Sequence, residues 1–198
     1  MQEQESGGLH VTSHSNAQTR QLGMRLGELL HGGELVLLEG QLGMGKTTFT
    51  QGLAQGMGIT GTINSPTFTL LKEYPGRDHV LTASPTSPSS QKNIPDKMAR
   101  HGRTRTQGPA LYHFDLYRLE DPEEMFALGF EDYFSDPSGV CVVEWADRAA
   151  GLWPNERLDI LFTTIRETER SIQFTASGSR SIALLQQLQK SAYAITGS

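Results

Sequence analysis

Residues 34–57 read ELVLLEGQLGMGKTTFTQGLAQGM, a short apolar run followed by a glycine-rich turn and then a helical pattern. Within it, residues 40–47 spell G-x-x-x-x-G-K-T, the spacing of a phosphate-binding loop. Gly40, Gly43 and Gly45 permit a tight loop whose backbone N–H groups point inward at phosphate oxygens, with no Cβ in the way. In such a loop the Lys46 ammonium reaches the β- and γ-phosphates. The Thr47 hydroxyl is then a hard oxygen ligand for the magnesium ion that accompanies a nucleoside triphosphate. A helix beginning at Lys46 adds the positive end of its dipole to the cradle. The flanks agree: Leu35, Val36, Leu37 and Leu38 form a run expected of a fully buried parallel strand, and Phe49, Leu53 and Met57 recur at helical spacing. Nucleotide binding is the expectation.

Size and composition narrow the setting. With 198 residues, 36% of them hydrophobic, the chain suits one domain with a proper core and is short for two. We expect a single domain over residues 1–198, with flexible tails at 1–8 and 191–198. The net charge of −5 gives no global positive field for nucleic acid or an anionic membrane. The single cysteine, Cys141, sits in the apolar run 140–143 and reads as a buried structural thiol in a reducing compartment. The polar, acidic start MQEQESGG lacks the basic and apolar regions of a signal peptide, and no run approaches the length of a membrane span. The expected location is cytoplasmic.

Along the chain, residues 9–13 read as a first strand, and Ser15 caps a helix over 16–30 with Leu22, Leu26, Leu29 and Leu30 on one face. Gly32 and Gly33 end it. After the loop helix, Gly56, Gly58 and Gly61 break the pattern. Ser65-Pro66 then turns into a strand in which Phe68, Leu70 and Lys72 alternate with Thr69, Leu71 and Glu73. Over residues 77–109 Ser, Thr, Pro, Gln and Gly dominate, so the segment buries little surface and is expected to be a disordered insertion. Lys92, Lys97, Arg100, Arg103 and Arg105 make its second half locally basic, which reads first as a solvated loop and second as a contact for RNA or an acidic partner. A strand follows from Ala110, and Asp121-Pro122-Glu123-Glu124 opens a helix with Met125, Phe126 and Leu128 inward. Further strands are expected at 140–143, 158–165 and 171–176, with a closing helix over 181–190. Alternating strands and helices make this an α/β fold, with a mostly parallel central sheet flanked by helices and antiparallel pairing expected at one edge.

In such sheets ligands sit at the carboxyl ends of strands. Glu144 follows four apolar residues at a strand tip, where an acid holds magnesium or orients the attacking water, or forms an ion pair with Arg148. Asp115 shares a strand face with His113 and Tyr117, a pattern that a half-exposed polar face also produces. Ser65 and Thr67 lie in the connection where nucleotide switches place a hydroxyl that senses the γ-phosphate, and where turn chemistry also uses them. No Asn-Lys-x-Asp is present, and Asp136-Pro137-Ser138-Gly139 precedes its strand instead of ending one. A GTPase is disfavoured.

Taken together, residues 40–48, Ser65-Pro66-Thr67-Phe68-Thr69 with Tyr74, His113-x-Asp115-x-Tyr117-Arg118 and Glu144-Trp145, in that order, resemble the TsaE family, also called YjeE. That family is the small bacterial ATPase required for making threonylcarbamoyladenosine in tRNA. The likeness covers most of the chain outside the 77–109 insertion and the tails. It implies a P-loop NTPase-like fold, ATP or ADP bound by Gln41, Leu42, Gly43, Met44, Gly45, Lys46, Thr47 and Thr48, and Mg²⁺ held by Thr47 and Glu144. Asp115 becomes a catalytic or metal-positioning acid, and the segments around Asn16 and Glu169-Arg170 flank the nucleotide. The implied partners are TsaD-like and TsaB-like proteins of the threonylcarbamoylation complex, while direct tRNA contact stays open.

The expected activity is Mg-dependent ATP hydrolysis. Loop amides and Lys46 stabilise charge on the β/γ oxygens, and either Asp115 or Glu144 orients water. A small-molecule kinase with the same loop is one rival. A non-hydrolysing, nucleotide-dependent adaptor is another.

Overall fold

The computed structural model describes residues 7–76, 108–127 and 129–196. The expected 77–109 insertion therefore lies outside the described residues, apart from Gly108 and Pro109. So do Lys92, Lys97, Arg100, Arg103 and Arg105.

The elements run β1 (Gly7–Ser13), α1 (Asn16–Gly27), β2 (Leu35–Glu39), α2 (Lys46–Gly56), β3 (Leu71–Tyr74), β4 (Ala110–Asp115), α3 (Glu124–Ala127), α4 (Phe130–Phe134), β5 (Gly139–Glu144), a 3₁₀ turn (Ala146–Ala149), β6 (Arg157–Thr164), β7 (Arg170–Ser177) and α5 (Ser179–Thr196). Among the described residues the strands form one seven-stranded sheet in the order β1-β7-β6-β2-β5-β4-β3. The central pairs β6–β2, β2–β5 and β5–β4 are parallel. The outer pairs β1–β7, β6–β7 and β3–β4 are antiparallel. Antiparallel pairing thus occurs at both edges, not one. No helix among the described residues is long and apolar enough to cross a membrane.

Side-chain alternation along the central strands divides the core in two. Val36, Leu38, Val140 and Val142 point to a face covered by α1, α2 and α5, where Leu26, Phe49, Leu53, Leu185 and Leu188 complete the cluster. Leu35, Leu37, Cys141 and Val143 point to the other face, packed by Met125, Phe130, Ala146 and Ala149. Strands covered on both faces need continuous apolar runs, so residues 35–38 and 140–143 lack polar alternation. The buried Cys141 thiol donates to the Tyr133 carbonyl at 3.3 Å, and burial, with Asp136 adding to it, pushes the thiol far above its ordinary range. That agrees with a structural thiol.

Helices α1 and α2 meet backbone to backbone. A Cβ added to Gly52 would stand 2.8 Å from the Arg20 carbonyl carbon and 3.0 Å from its Cα, and one on Gly27 would stand 2.9 Å from the Leu53 carbonyl carbon. Gly23 and Gly56 are equally hemmed in by the opposite helix. Phe49 then pins α2 to the sheet, its ring 5.6 Å from Phe162 and 6.2 Å from Phe174.

Several expected boundaries move. Ser15 caps α1 through a 3.2 Å bond from the Gln18 N–H, but the helix ends at Gly27, short of Leu30. The strand expected from Phe68 begins at Leu71. The Thr69 and Leu70 amides both donate to the Pro66 carbonyl at 2.8 Å, Leu70 takes φ 61°, and Phe68 is left 83% exposed. Asp121 accepts from the Glu123 amide, as a cap does, but α3 starts at Glu124, and Gly129 at φ 70° opens the separate α4. Helix α5 runs past Lys190 into the stretch expected as a tail, and β1 begins at Gly7, inside the other.

Candidate functional site

Strand β2 is flanked by β6 and β5, so its carboxyl end opens where the sheet's connections diverge, and the glycine-rich loop leaves from there into α2. Gly40, Gly43 and Gly45 all have positive φ, at 133°, 81° and 99°, which L side chains rarely adopt. Gly45 caps α2 with no side-chain hydrogen bond, so the first-turn amides of this helix face outward without a side-chain acceptor. Leu42 at the loop's crest is 75% exposed, while Met44 packs against the core and its sulfur touches the Thr164 hydroxyl at 2.7 Å.

Lys46 is 4% exposed and folds back along the loop. Its ammonium donates to the Gly40 carbonyl and, at 3.0 Å, to the Gln41 carbonyl, and stands 3.8 Å above the Trp145 ring centre. Burial holds it below the ordinary lysine value, against the opposing pull of Glu144, Asp115 and Asp147. Trp145, at φ 61°, also meets the Tyr117 ring, the two centres 4.9 Å apart and the planes tilted by 51°. The sequence marked Trp145 only as part of the Glu144-Trp145 motif and gave it no role beside Lys46.

The two acids end neighbouring strands in register, Asp115 of β4 opposite Glu144 of β5. Both are buried, yet their partners differ. Glu144 Oε2 accepts from the Thr47 hydroxyl at 3.0 Å and Oε1 from His113 Nε2 at 2.9 Å, in place of an ion pair with Arg148. Asp115 Oδ2 accepts from Ser65 and, at 2.6 Å, from Thr67, while Oδ1 accepts from the Tyr117 amide at 3.0 Å. Strand β4 ends at Asp115, so Tyr117 leaves the face it was expected to share. On the far side of the loop, Arg170 Nε lies 3.6 Å from where a Gly45 Cβ would stand, and Thr19 of α1, one turn beyond Asn16, abuts the same point. Glu169 receives a 3.3 Å bond from His14. Thr48 occupies the first turn of α2. The predicted residues therefore converge on one end of the sheet, in two groups: the loop with Thr47 and Glu144, and the 65–67 turn with Asp115.

A sequence model described as "Threonylcarbamoyl adenosine biosynthesis protein TsaE" matches residues 13–83 and 98–172, well over half of the chain. The chain belongs to the TsaE family. Residues 84–97, inside the expected insertion, fall outside the match. A curated relative, the tRNA threonylcarbamoyladenosine biosynthesis protein TsaE of Bacillus subtilis, is 41% identical over 158 residues, covering 80% of this chain and 79% of its own. The protein of the same name from Treponema pallidum is 35% identical over 164 residues, covering 83% of this chain and 98% of its own. The crystal structure of YdiB from Bacillus subtilis superposes with a TM-score of 0.69 at 31% identity, covering 94% of this chain and 97% of that one. In this TsaE-family chain, the segments carrying Lys46, Ser65, Thr67, Asp115, Glu144 and Arg170 all fall within the matched residues.

Proposed function

We propose that this TsaE-family chain is a single P-loop NTPase-like domain that binds ATP with Mg²⁺ and hydrolyses it in support of the threonylcarbamoyl transfer to tRNA adenosine. The observation that carries the reading is the meeting of Thr47 and Glu144, 3.0 Å apart, at the mouth of the glycine loop beside the buried Lys46 ammonium. A hydroxyl and a carboxylate are hard oxygen donors, the set that suits Mg²⁺, which keeps several of its waters and takes phosphate oxygens as further ligands. Thr47 and Glu144 would hold the ion, which when bound neutralises charge on the phosphate oxygens.

The chain's own groups do the rest. The amides of residues 41–47 receive the β/γ oxygens. Lys46 exchanges the Gly40 and Gln41 carbonyls for phosphate oxygens, already near the place where charge develops, which is what electrostatic preorganisation requires. Asp115, held by two hydroxyls, is the candidate to orient water. Arg170 and the first turn of α1 border the loop where the rest of the nucleotide would lie. TsaD-like and TsaB-like proteins are the proposed partners, and a tRNA-modifying role would put the protein in the cytoplasm.

The test is phosphate release from Mg-ATP by the purified chain, alone and with TsaD- and TsaB-like partners. Release should rise with the partners and fall by about 100-fold or more in Lys46→Ala and Glu144→Ala. ATP binding with no phosphate under either condition would overturn hydrolysis and leave a nucleotide-gated adaptor.

A further inference from the structure

His113 lies inside β4, paired on one side with Lys72 of β3 and on the other with Val142 of β5, and its side chain is wholly buried. Nε2 is 2.9 Å from Glu144 Oε1. Nδ1 has no hydrogen-bond partner among the described residues. A carboxylate only accepts, so Nε2 carries the hydrogen and donates it. An imidazole buried with one nitrogen unsatisfied is a poor choice for packing alone, since an unmet polar atom costs free energy that an apolar ring of similar size avoids. What the ring supplies is a donor of fixed reach on a rigid strand.

That donor acts on a carboxylate whose two oxygens have different tasks. Oε2 meets Thr47, the first turn of α2 and the mouth of the loop. Oε1 faces inward to His113. Without the inward bond the Thr47 hydroxyl is the one remaining side-chain donor to the Glu144 carboxylate among the described residues, and a single donor does not fix the carboxylate plane. We infer that His113 is a positioning residue: its Nε2–H pins Glu144 Oε1 and so keeps the other oxygen presented to Thr47 and to the Mg²⁺ of a bound nucleotide. The inference rests on the Mg-nucleotide reading of the site.

The experiment measures ADP binding by calorimetry across a Mg²⁺ titration and in EDTA, with thermal melts for each variant. His113→Gln keeps an amide N–H at about the reach of Nε2. His113→Asn stops at the depth of Nδ1, and His113→Leu has no donor. Loss of an outer partner of a metal ligand weakens metal affinity by about 10- to 100-fold. The Asn and Leu variants should therefore need about 10- to 100-fold more Mg²⁺ for half-maximal binding, with EDTA affinity unchanged. The Gln variant should stay within a few-fold of the parent. If Leu fails to fold, the Gln–Asn pair carries the test alone. Equal Mg²⁺ requirements in Gln and Asn, or a loss of the same size with and without Mg²⁺, would overturn the positioning role. If Mg²⁺ dependence is absent from the parent and from Glu144→Ala alike, the Mg-nucleotide reading itself fails and takes this inference with it. Dependence that vanishes in Glu144→Ala but survives in Asn and Leu rejects His113 alone.

Discussion

Replacing Gly52 by alanine tests whether the glycine-rich loop owes its placement to the contact of two helix backbones. In a free helix this change is favourable by about 1 kcal/mol, because alanine loses less backbone entropy than glycine. Here the added methyl would stand 2.8 Å from the Arg20 carbonyl carbon, 3.0 Å from its Cα and closer still to its oxygen. The obstacle is backbone, so no rotamer change relieves it, and α1 and α2 must separate by about an ångström or more to restore ordinary contact. Overpacking of this kind costs about 1–3 kcal/mol and occasionally more. With several glycines of both helices in the same seam, the upper end applies. After the helix-propensity gain, the net loss is about 2 kcal/mol, a fall in Tm of about 4–8 °C for a chain of this size. The same displacement moves Lys46 and Thr47, which open α2, and a misplacement of about 1 Å costs on the order of a hundredfold in rate. Thermal melting and phosphate release give the two readouts. Gly8→Ala is the control, because its added Cβ would meet nothing nearer than the Phe174 carbonyl oxygen at 3.9 Å, and its change should stay within about 0.5 kcal/mol. A Gly52→Ala protein that melts at or above the parent temperature would refute the reasoning.

Two further outcomes are expected. Asp115→Asn leaves one acceptor oxygen where the carboxylate has two, so it no longer serves both the Ser65 and Thr67 hydroxyls on one side and the Tyr117 amide on the other, and should cost about 1–3 kcal/mol by denaturant unfolding. Burial alone would raise the Glu156 carboxyl, but hydrogen bonds from the Ser181 backbone and side chain and the Arg180 amide at the start of α5, with the Arg180 charge, bring it below the ordinary value. A depressed acid stabilises the fold above its unfolded pKa and loses that contribution as pH falls through its folded pKa. Glu156→Ala should therefore cost about 1 kcal/mol near pH 7, and its gap from the parent should close as pH falls below the ordinary glutamate value and through the lowered folded one. A gap that persists at low pH would mean packing, not the ionised cap.

The parts of the fold that were legible are those in which one local signal decides. Leu35 to Leu38 and Val140 to Val143 have no polar alternation, so burial on both faces and parallel pairing followed, and Ser15 announced α1 through its cap. Where local signals compete, pattern reading lost. Residues 68–72 alternate as a strand does, but the Pro66 carbonyl collects two amides and forces a turn that Leu70 completes at positive φ. Gly56 does close α2 as read, but it also lets α1 approach, and that role was not legible because glycine's absence of a side chain is visible in sequence while the surface pressed against it is not. Both sheet edges are antiparallel because β3 and β7 return by routes that strand composition does not encode.

The site was legible as residue types and illegible as partnerships. Asp115 and Glu144 were equal candidates to orient water because each ends a strand next to the loop. The geometry separates them by their donors. Glu144 is tied through Thr47 to the first turn of the loop helix, so in the proposed reaction it is the acid on the metal side. Asp115 is tied to Ser65 and Thr67, and its amide donates to the Leu70 carbonyl, so it holds both ends of the turn that carries the exposed Phe68. Strand register joins the two groups: Asp115 pairs with Glu144, and the Leu116 amide donates to the Glu144 carbonyl at 3.0 Å. A change in what occupies the loop side of Glu144 is therefore one rigid strand pair away from the turn beneath Phe68. This places the exposed aromatic, with Arg118 over its ring at 4.3 Å, on a turn hydrogen-bonded to the acid that pairs with Glu144.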